Sequence, residues 1–160
     1  MKANKALATY LNNHLAASVG ALELLTSLKA AQENSDLAQF AADLHDEIEA
    51  EQQEVANLME RLDVTQNKPN QAVGWLAEKF TQIKLHFDDA DDGTMHLLES
   101  LELIMVGIEG KRGLWSAMAA AAIPGLPISE YERYARQSED QQRRVETMRL
   151  AAAKSLFGVE

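Results

Sequence analysis

Three glutamates and one histidine stand where they could bind a metal ion together. Glu47 and Glu51 are one turn apart on a predicted helix, and His14 and Glu109 belong to two other predicted helices. Residues four apart share one side of a helix, so the first two carboxylates point the same way. Iron and manganese accept carboxylate and imidazole ligands. The sequence therefore allows a site for one metal ion, with iron or manganese as its occupant.

An arginine and a glutamine on the predicted inner faces offer a different chemistry. Helical wheels place His14, Glu51, Arg112 and Gln142 in one polar layer of a leucine-rich interior. A buried carboxylate needs a partner, and a guanidinium can bind it through two hydrogen bonds. We favour a structural ion pair between Glu51 and Arg112, because the arginine competes with a metal for the carboxylates. A pocket for a small anion at Arg112 is a third interpretation.

An acidic turn further along the chain suggests calcium. Asp88, Asp92, Gly93 and Glu99 match positions one, five, six and twelve of an EF-hand loop. Ala90 stands where the third-position carboxylate belongs. We therefore favour a turn that precedes a helix, since the helix dipole stabilises a carboxylate such as that of Asp92 near a helix N-terminus.

Five amphipathic segments must position these side chains. They run from about residues 4–31, 36–62, 71–87, 94–122 and 130–157. Ser35 is the expected N-cap of the second segment, and Ser129 with Glu132 has the pattern of a capping box for the last. The four long segments form two closely linked pairs, and short links make antiparallel neighbours. The spacing predicts an all-α fold: a four-helix bundle with one long crossover that contains a short fifth helix, in a single domain spanning 1–160.

This helix order resembles the ferritin-like superfamily, including small bacterial ferritin-like proteins linked to stress responses. In that superfamily, inward glutamates and two Glu-x-x-His motifs bind two iron or manganese ions. The chain contains no Glu-x-x-His. The nearest patterns are Glu51-x-x-Glu54 and Glu139-x-x-Gln142, and glutamine is a poor iron ligand. The resemblance therefore implies the fold without the family's ferroxidase chemistry.

The predicted helix 94–122 has a second stripe beside its main apolar face. The stripe comprises Ser100, Leu103, Gly107, Gly110, Leu114 and Met118. A surface helix needs only one apolar face, and each glycine costs about 1 kcal/mol of helix propensity relative to alanine. Either the short helix 71–87 covers this face within the monomer, or two copies of the chain form a homodimer through Leu103, Gly107, Gly110 and Leu114.

Composition limits the partners and the location. The 160 residues are 46% hydrophobic with a net charge of −10, which favours a folded domain and disfavours nucleic acid or an anionic membrane surface as partner. The absence of cysteine excludes disulfides and thiolate sites. No segment has the pattern of a membrane-spanning helix or a leader peptide, so we expect a cytoplasmic protein.

Two hypotheses about function follow. The first is a non-catalytic ferritin-like accessory or stress-related protein without a cofactor. The second is a metal-binding oxidoreductase or metal-storage protein with unusual ligands, drawn from Glu47, Glu51 and Glu109. We favour the first because the metal motif of the superfamily is missing.

Overall fold

The computed structural model describes residues 2–31, 35–67 and 93–158. These ranges contain four α-helices and no strand: α1 (Lys5–Ala31), α2 (Asp36–Arg61), α3 (Gly93–Ala121) and α4 (Ile128–Phe157). The all-α prediction is confirmed, and the four long helices lie within two residues of their predicted bounds. The predicted short helix 71–87 lies outside the described residues, and the single ferritin-like bundle stays a prediction.

The chain divides into two compact units, Met1–Asp88 and Asp89–Glu160. Each unit contains one pair of long helices, which pack on one another within the unit.

The first unit is an antiparallel pair of helices. The backbone N–H of Ala3 donates to the carbonyl of Leu62, 2.9 Å away, so the start of α1 lies beside the end of α2. The side chain of Asn12 supports the same arrangement. Its amide nitrogen donates to the carbonyl of Thr65 at 3.1 Å, and its oxygen accepts from the backbone N–H of Asn67 at 2.7 Å.

Apolar side chains spaced alternately three and four residues apart form the core of the first unit. On α2 this heptad seam contains Ala41, Leu44, Ile48, Glu51, Val55 and Leu58, all buried. Such spacing keeps one stripe of a helix against its neighbour. The predicted N-cap is confirmed, because the Ser35 hydroxyl accepts from the backbone N–H of Ala38 at 3.1 Å.

The second unit pairs α3 with α4 through a similar seam. Its buried residues include Leu101, Ile104, Ile108, Trp115 and Met118 on α3, and Tyr131, Ser138, Gln141, Val145 and Ala152 on α4. The two helices are joined by the short loop 122–127, in which Gly125 has a φ of +83°, a conformation that favours glycine.

The predicted capping box of α4 is wrong. The helix begins at Ile128, its N-cap residue is Pro127, and no side chain caps it. Ser129 and Glu132 are both exposed. The helix starts earlier than the pattern suggested, so Ser129 already lies inside the first turn and cannot serve as the residue before it.

Candidate functional site

Glu51 is the buried carboxylate of the first unit. It occupies a seam position between Ile48 and Val55, and only 2% of the residue is exposed. Glu47, one turn earlier, is half-buried. The helical wheel thus placed both carboxylates on the correct side of α2.

A polar contact joins the two helices at this level. The side-chain amide of Gln52, the residue after Glu51, donates to the hydroxyl of Ser18 at 2.8 Å. That hydroxyl in turn donates to the carbonyl of Leu15, 2.7 Å away. The first unit therefore carries a polar layer at Ser18, Glu51 and Gln52. Gln52 was not predicted to contribute, since it lies beside the apolar stripe.

His14 is half-buried on α1. Its ring meets the ring of Tyr10 edge-on, with the centroids 4.6 Å apart and an angle of 78° between the planes. Burial lowers the pKa of His14 from its ordinary value. The neutral imidazole is consequently favoured at neutral pH, and that is the form able to bind a metal.

Glu109 is held by two side chains of the second unit. The Arg112 guanidinium donates from Nη2 to Oε1 at 2.6 Å and from Nε to Oε2 at 2.9 Å. The amide of Gln142 on α4 donates to Oε2 at 3.0 Å. The bidentate contact with Arg112 lowers the pKa of Glu109, so its carboxylate stays ionised and occupied.

The structure differs from the predicted polar layer at Arg112 and Gln142. Their side chains lie at the partly exposed edge of the second unit and bind Glu109, whereas the wheel placed both in the interior; about a third of the Arg112 side chain is exposed. The wheel assumed 3.6 residues per turn. Against a 3.5-residue repeat, that assumption drifts by about 20° per heptad. The predicted pairing of Glu51 with Arg112 would join the two units and stays a prediction.

The seam positions are occupied by the residues that precede Arg112 and Gln142, namely Lys111 and Gln141. Gln141 is fully buried, and its side-chain oxygen accepts a hydrogen bond from Nζ of Lys111. Lys111 is half-buried at the position three residues after Ile108 and four before Trp115. A polar layer thus crosses the second unit at Lys111 and Gln141. Counting alternate steps of three and four would have found both residues, from Trp115 on α3 and from Ser138 on α4.

An aromatic cluster follows the polar layer. The indole of Trp115 lies 5.6 Å from the ring of Tyr131 and 4.8 Å from that of Tyr134, centroid to centroid. The guanidinium of Arg133 sits 4.5 Å from the centroid of the Tyr134 ring, on its face. These contacts fill the seam toward the loop 122–127.

Among the described residues, one group of potential metal ligands brings its ligand atoms together. His45, Asp46 and Glu49 on α2 have ligand atoms within 4.8 Å of one another. The side chain of Asp46 is 84% exposed, and its Oδ1 lies 3.5 Å from Nδ1 of His45. None of the predicted metal ligands Glu47, Glu51, Glu109 and His14 belongs to this group. Exposed acidic groups are common without an ion, so the cluster does not itself identify a metal site.

The calcium interpretation concerns residues that are mostly beyond the described ranges. Asp88, Ala90 and Asp92 lie outside them. Gly93 is the first residue of α3, and Glu99 projects from α3 with its Oε2 3.7 Å from Nδ1 of His96. The expectation that a helix follows the acidic turn is confirmed.

The second stripe of α3 is largely buried within the single chain. Leu103 is 8% exposed and Leu114 only 1%. Gly107 is half-buried and Gly110 exposed, and a Cβ atom added to either would meet no atom within 4 Å. The two leucines therefore present little apolar surface to a second copy, and neither glycine is required by a close neighbour in the described chain.

An open polar groove of about 360 Å³ lies beside the end of α2. It is lined by Gln53, Ala56, Asn57, Glu60, Asp63, Val64, Thr65 and Gln66. Its amides and carboxylates suit hydrogen bonding to a small polar solute.

The chain was compared with protein-family models, curated proteins and solved structures, and nothing matches. Within the described ranges, none of the helices is both long and apolar enough to cross a lipid bilayer.

Proposed function

We propose that this chain is a non-catalytic helical-bundle protein of ferritin-like organisation, an accessory or stress-related protein that acts by binding. The proposal rests on the contacts that the carboxylate of Glu109 makes with neighbouring side chains. Arg112 and Gln142 together occupy both oxygens of its carboxylate. A cation paired with this carboxylate opposes metal binding, because a divalent ion would have to displace the guanidinium.

The polar layer of the second unit supports the same proposal. Lys111 and Gln141 fill it with an ammonium group and an amide. Neither is a ligand for iron, which binds carboxylate and imidazole. The helix order supplies the ferritin-like part of the proposal, and the small stress-related proteins of that superfamily supply the suggested role. The polar groove beside α2 is the candidate binding surface for a small solute.

Elemental analysis tests the proposal on the full chain purified without chelators. We expect iron, manganese and zinc to be far below one equivalent per chain. Arg112→Ala removes the guanidinium from Glu109, so this variant should take up more added metal than the unaltered chain. Arg149→Ala is the matched control and should not, because it breaks a comparable bidentate contact with Glu146, three residues earlier on α4. A stoichiometric metal content in the unaltered protein would overturn the proposal.

The second candidate is a metal-binding protein with unusual ligands in the first unit. Glu51 and Glu47 favour it, since a buried and a half-buried carboxylate share one side of α2 and His14 belongs to the same unit. A ligand that binds only the folded state raises the melting temperature. Under this candidate, Mn²⁺ would raise the Tm of the unaltered protein and of Asp46→Asn, but not that of Glu51→Gln.

A homodimer through α3 is the less favoured arrangement, because Leu103 and Leu114 are already buried in one chain. Sedimentation at micromolar concentration distinguishes monomer from dimer.

A further inference from the structure

We propose that the Lys111–Gln141 pair sets the alignment of α3 against α4, and that the exposed polar pairs of the same unit do not. The inference rests on the second unit alone and is independent of the proposed function. It concerns which residues face one another along two helices with repeating apolar seams.

Three contacts between the two helices define the native alignment. Lys111 donates to Gln141, Gln142 donates to Glu109 at 3.0 Å, and Nη1 of Arg149 lies 3.4 Å from Oε1 of Glu102. The first involves a fully buried side chain, whereas the carboxylates of the other two are about half exposed. All three report the same alignment.

The exposed pairs also permit an alternative alignment. Glu102 and Glu109 are one heptad apart on α3, and Gln142 and Arg149 are one heptad apart on α4. If α4 slid by one heptad, Arg149 would meet Glu109. The slipped state would therefore form a new ion pair between opposite charges at the surface of the unit.

The aliphatic positions of the seam repeat every heptad, so they do not by themselves exclude the slip. The slip would separate Trp115 from Tyr131 and Tyr134, so the aromatic cluster opposes it together with the buried pair. Sliding α4 in this direction increases the distance that the loop 122–127 must span. Unwinding one helical turn next to the loop can supply the extra length. Sliding it in the other direction would shorten a link that is already short. The surface charges do not exclude this slip, because an ion pair between Arg149 and Glu109 would replace the native pair between Arg149 and Glu102.

The buried pair opposes that slip. In the slipped state Lys111 would face Met148, and Gln141 would face Met118. Neither methionine side chain can replace the hydrogen bond between the ammonium and the amide, because a thioether donates none and accepts only weakly. Buried polar groups that lose their partners disfavour the alternative state, as a polar residue in a coiled-coil seam selects one alignment.

Cysteine trapping in the full chain tests the proposal. The sequence contains no cysteine, so an introduced pair reports one alignment without competing thiols. Glu102→Cys with Arg149→Cys reports the native alignment, and Glu109→Cys with Arg149→Cys reports the slipped one. In an otherwise unaltered chain we expect the first pair to form a disulfide and the second to form only background amounts.

The deciding background is the double variant Lys111→Leu/Gln141→Leu, which makes the seam continuously apolar. We expect it to be at least as thermostable as the unaltered chain and to trap the slipped pair several-fold more. The exchanged variant Lys111→Gln/Gln141→Lys restores a polar pair and should return trapping of the slipped pair to background. Trapping of the slipped pair that stays at background in a folded Lys111→Leu/Gln141→Leu chain would overturn the proposal. If that chain does not fold, the Gln141→Leu single variant is tested instead. Trapping of the slipped pair above background supports the proposal, and trapping at background overturns it.

Discussion

The indole of Trp115 lies nearly parallel to the ring of Tyr131, with the centroids 5.6 Å apart and an angle of 16° between the planes. The two residues come from opposite sides of the loop 122–127. Trp115 is fully buried. This stacked pair lies at the loop end of the seam of the second unit. A large aromatic side chain buries more apolar surface than an aliphatic one, so we expect the pair to contribute strongly to the stability of the unit.

Replacing Trp115 with alanine should strongly destabilise the second unit. We expect Trp115→Ala to lower the free energy of unfolding by about 3–5 kcal/mol, since it removes a buried aromatic side chain and leaves a cavity. Urea titration followed by circular dichroism measures the loss. Leu150→Ala is the control, because Leu150 on α4 is 53% exposed. Equal losses in the two variants would show that Trp115 does not form part of the core.

The two serines that precede predicted helices should respond differently to alanine. Ser35→Ala removes the hydroxyl that accepts from the Ala38 N–H, and we expect a loss of about 1 kcal/mol in the free energy of unfolding. Ser129→Ala should change it little, since Ser129 is exposed within the first turn of α4 and caps nothing. Thermal or urea denaturation compares the pair directly. A larger loss for Ser129→Ala would support the capping box that the sequence suggested.

His14 should make the stability depend on pH below neutrality. Burial lowers the pKa of His14 in the folded state, so the unfolded chain binds its proton first as the pH falls. The resulting stability is complete above the unfolded value of 6.5 and is lost as the pH falls through the lower folded pKa. We expect His14→Gln to show a smaller drop in the free energy of unfolding between pH 7.5 and 5.5.

Urea titrations at both pH values measure the difference. His45→Gln is the matched control, because it removes another half-buried histidine of the first unit and keeps His14. If His14→Gln and the unaltered chain lose equal stability, the burial of His14 does not control the pH response.

The sequence predicted well what depends on local periodicity. The bounds of the four long helices and the Ser35 cap follow from signals a few residues apart. Glu51 was placed correctly because it lies near the middle of the stripe on α2. The all-α class is similarly local, since a 3.6-residue pattern over a long segment leaves no alternative to a helix.

Side-chain partners were harder to predict, because they depend on how two helices wind about each other. A straight helical wheel placed Arg112 and Gln142 on the inner faces. In the structure, Lys111 and Gln141 occupy the seam instead. Lys111 and Arg112 lie three and four residues after Ile108, so they flank the centre of the stripe on either side, and a wheel that drifts by about 20° per heptad does not choose between them. The chemistry of the site changes entirely with that choice, from a guanidinium that could bind an anion to an ammonium paired with an amide.

Substituting alanine for the glycines of α3 should distinguish a monomer from a dimer. A Cβ atom added at Gly107 or Gly110 meets nothing within 4 Å in the described chain. We therefore expect Gly107→Ala and Gly110→Ala each to raise the free energy of unfolding by about 1 kcal/mol, the gain in helix propensity. In a homodimer packed closely through these glycines, the added methyl groups would instead weaken association. Denaturation at two protein concentrations, with sedimentation of both variants, separates the outcomes: a concentration-dependent Tm that falls on substitution would establish the dimer and contradict the expected gain.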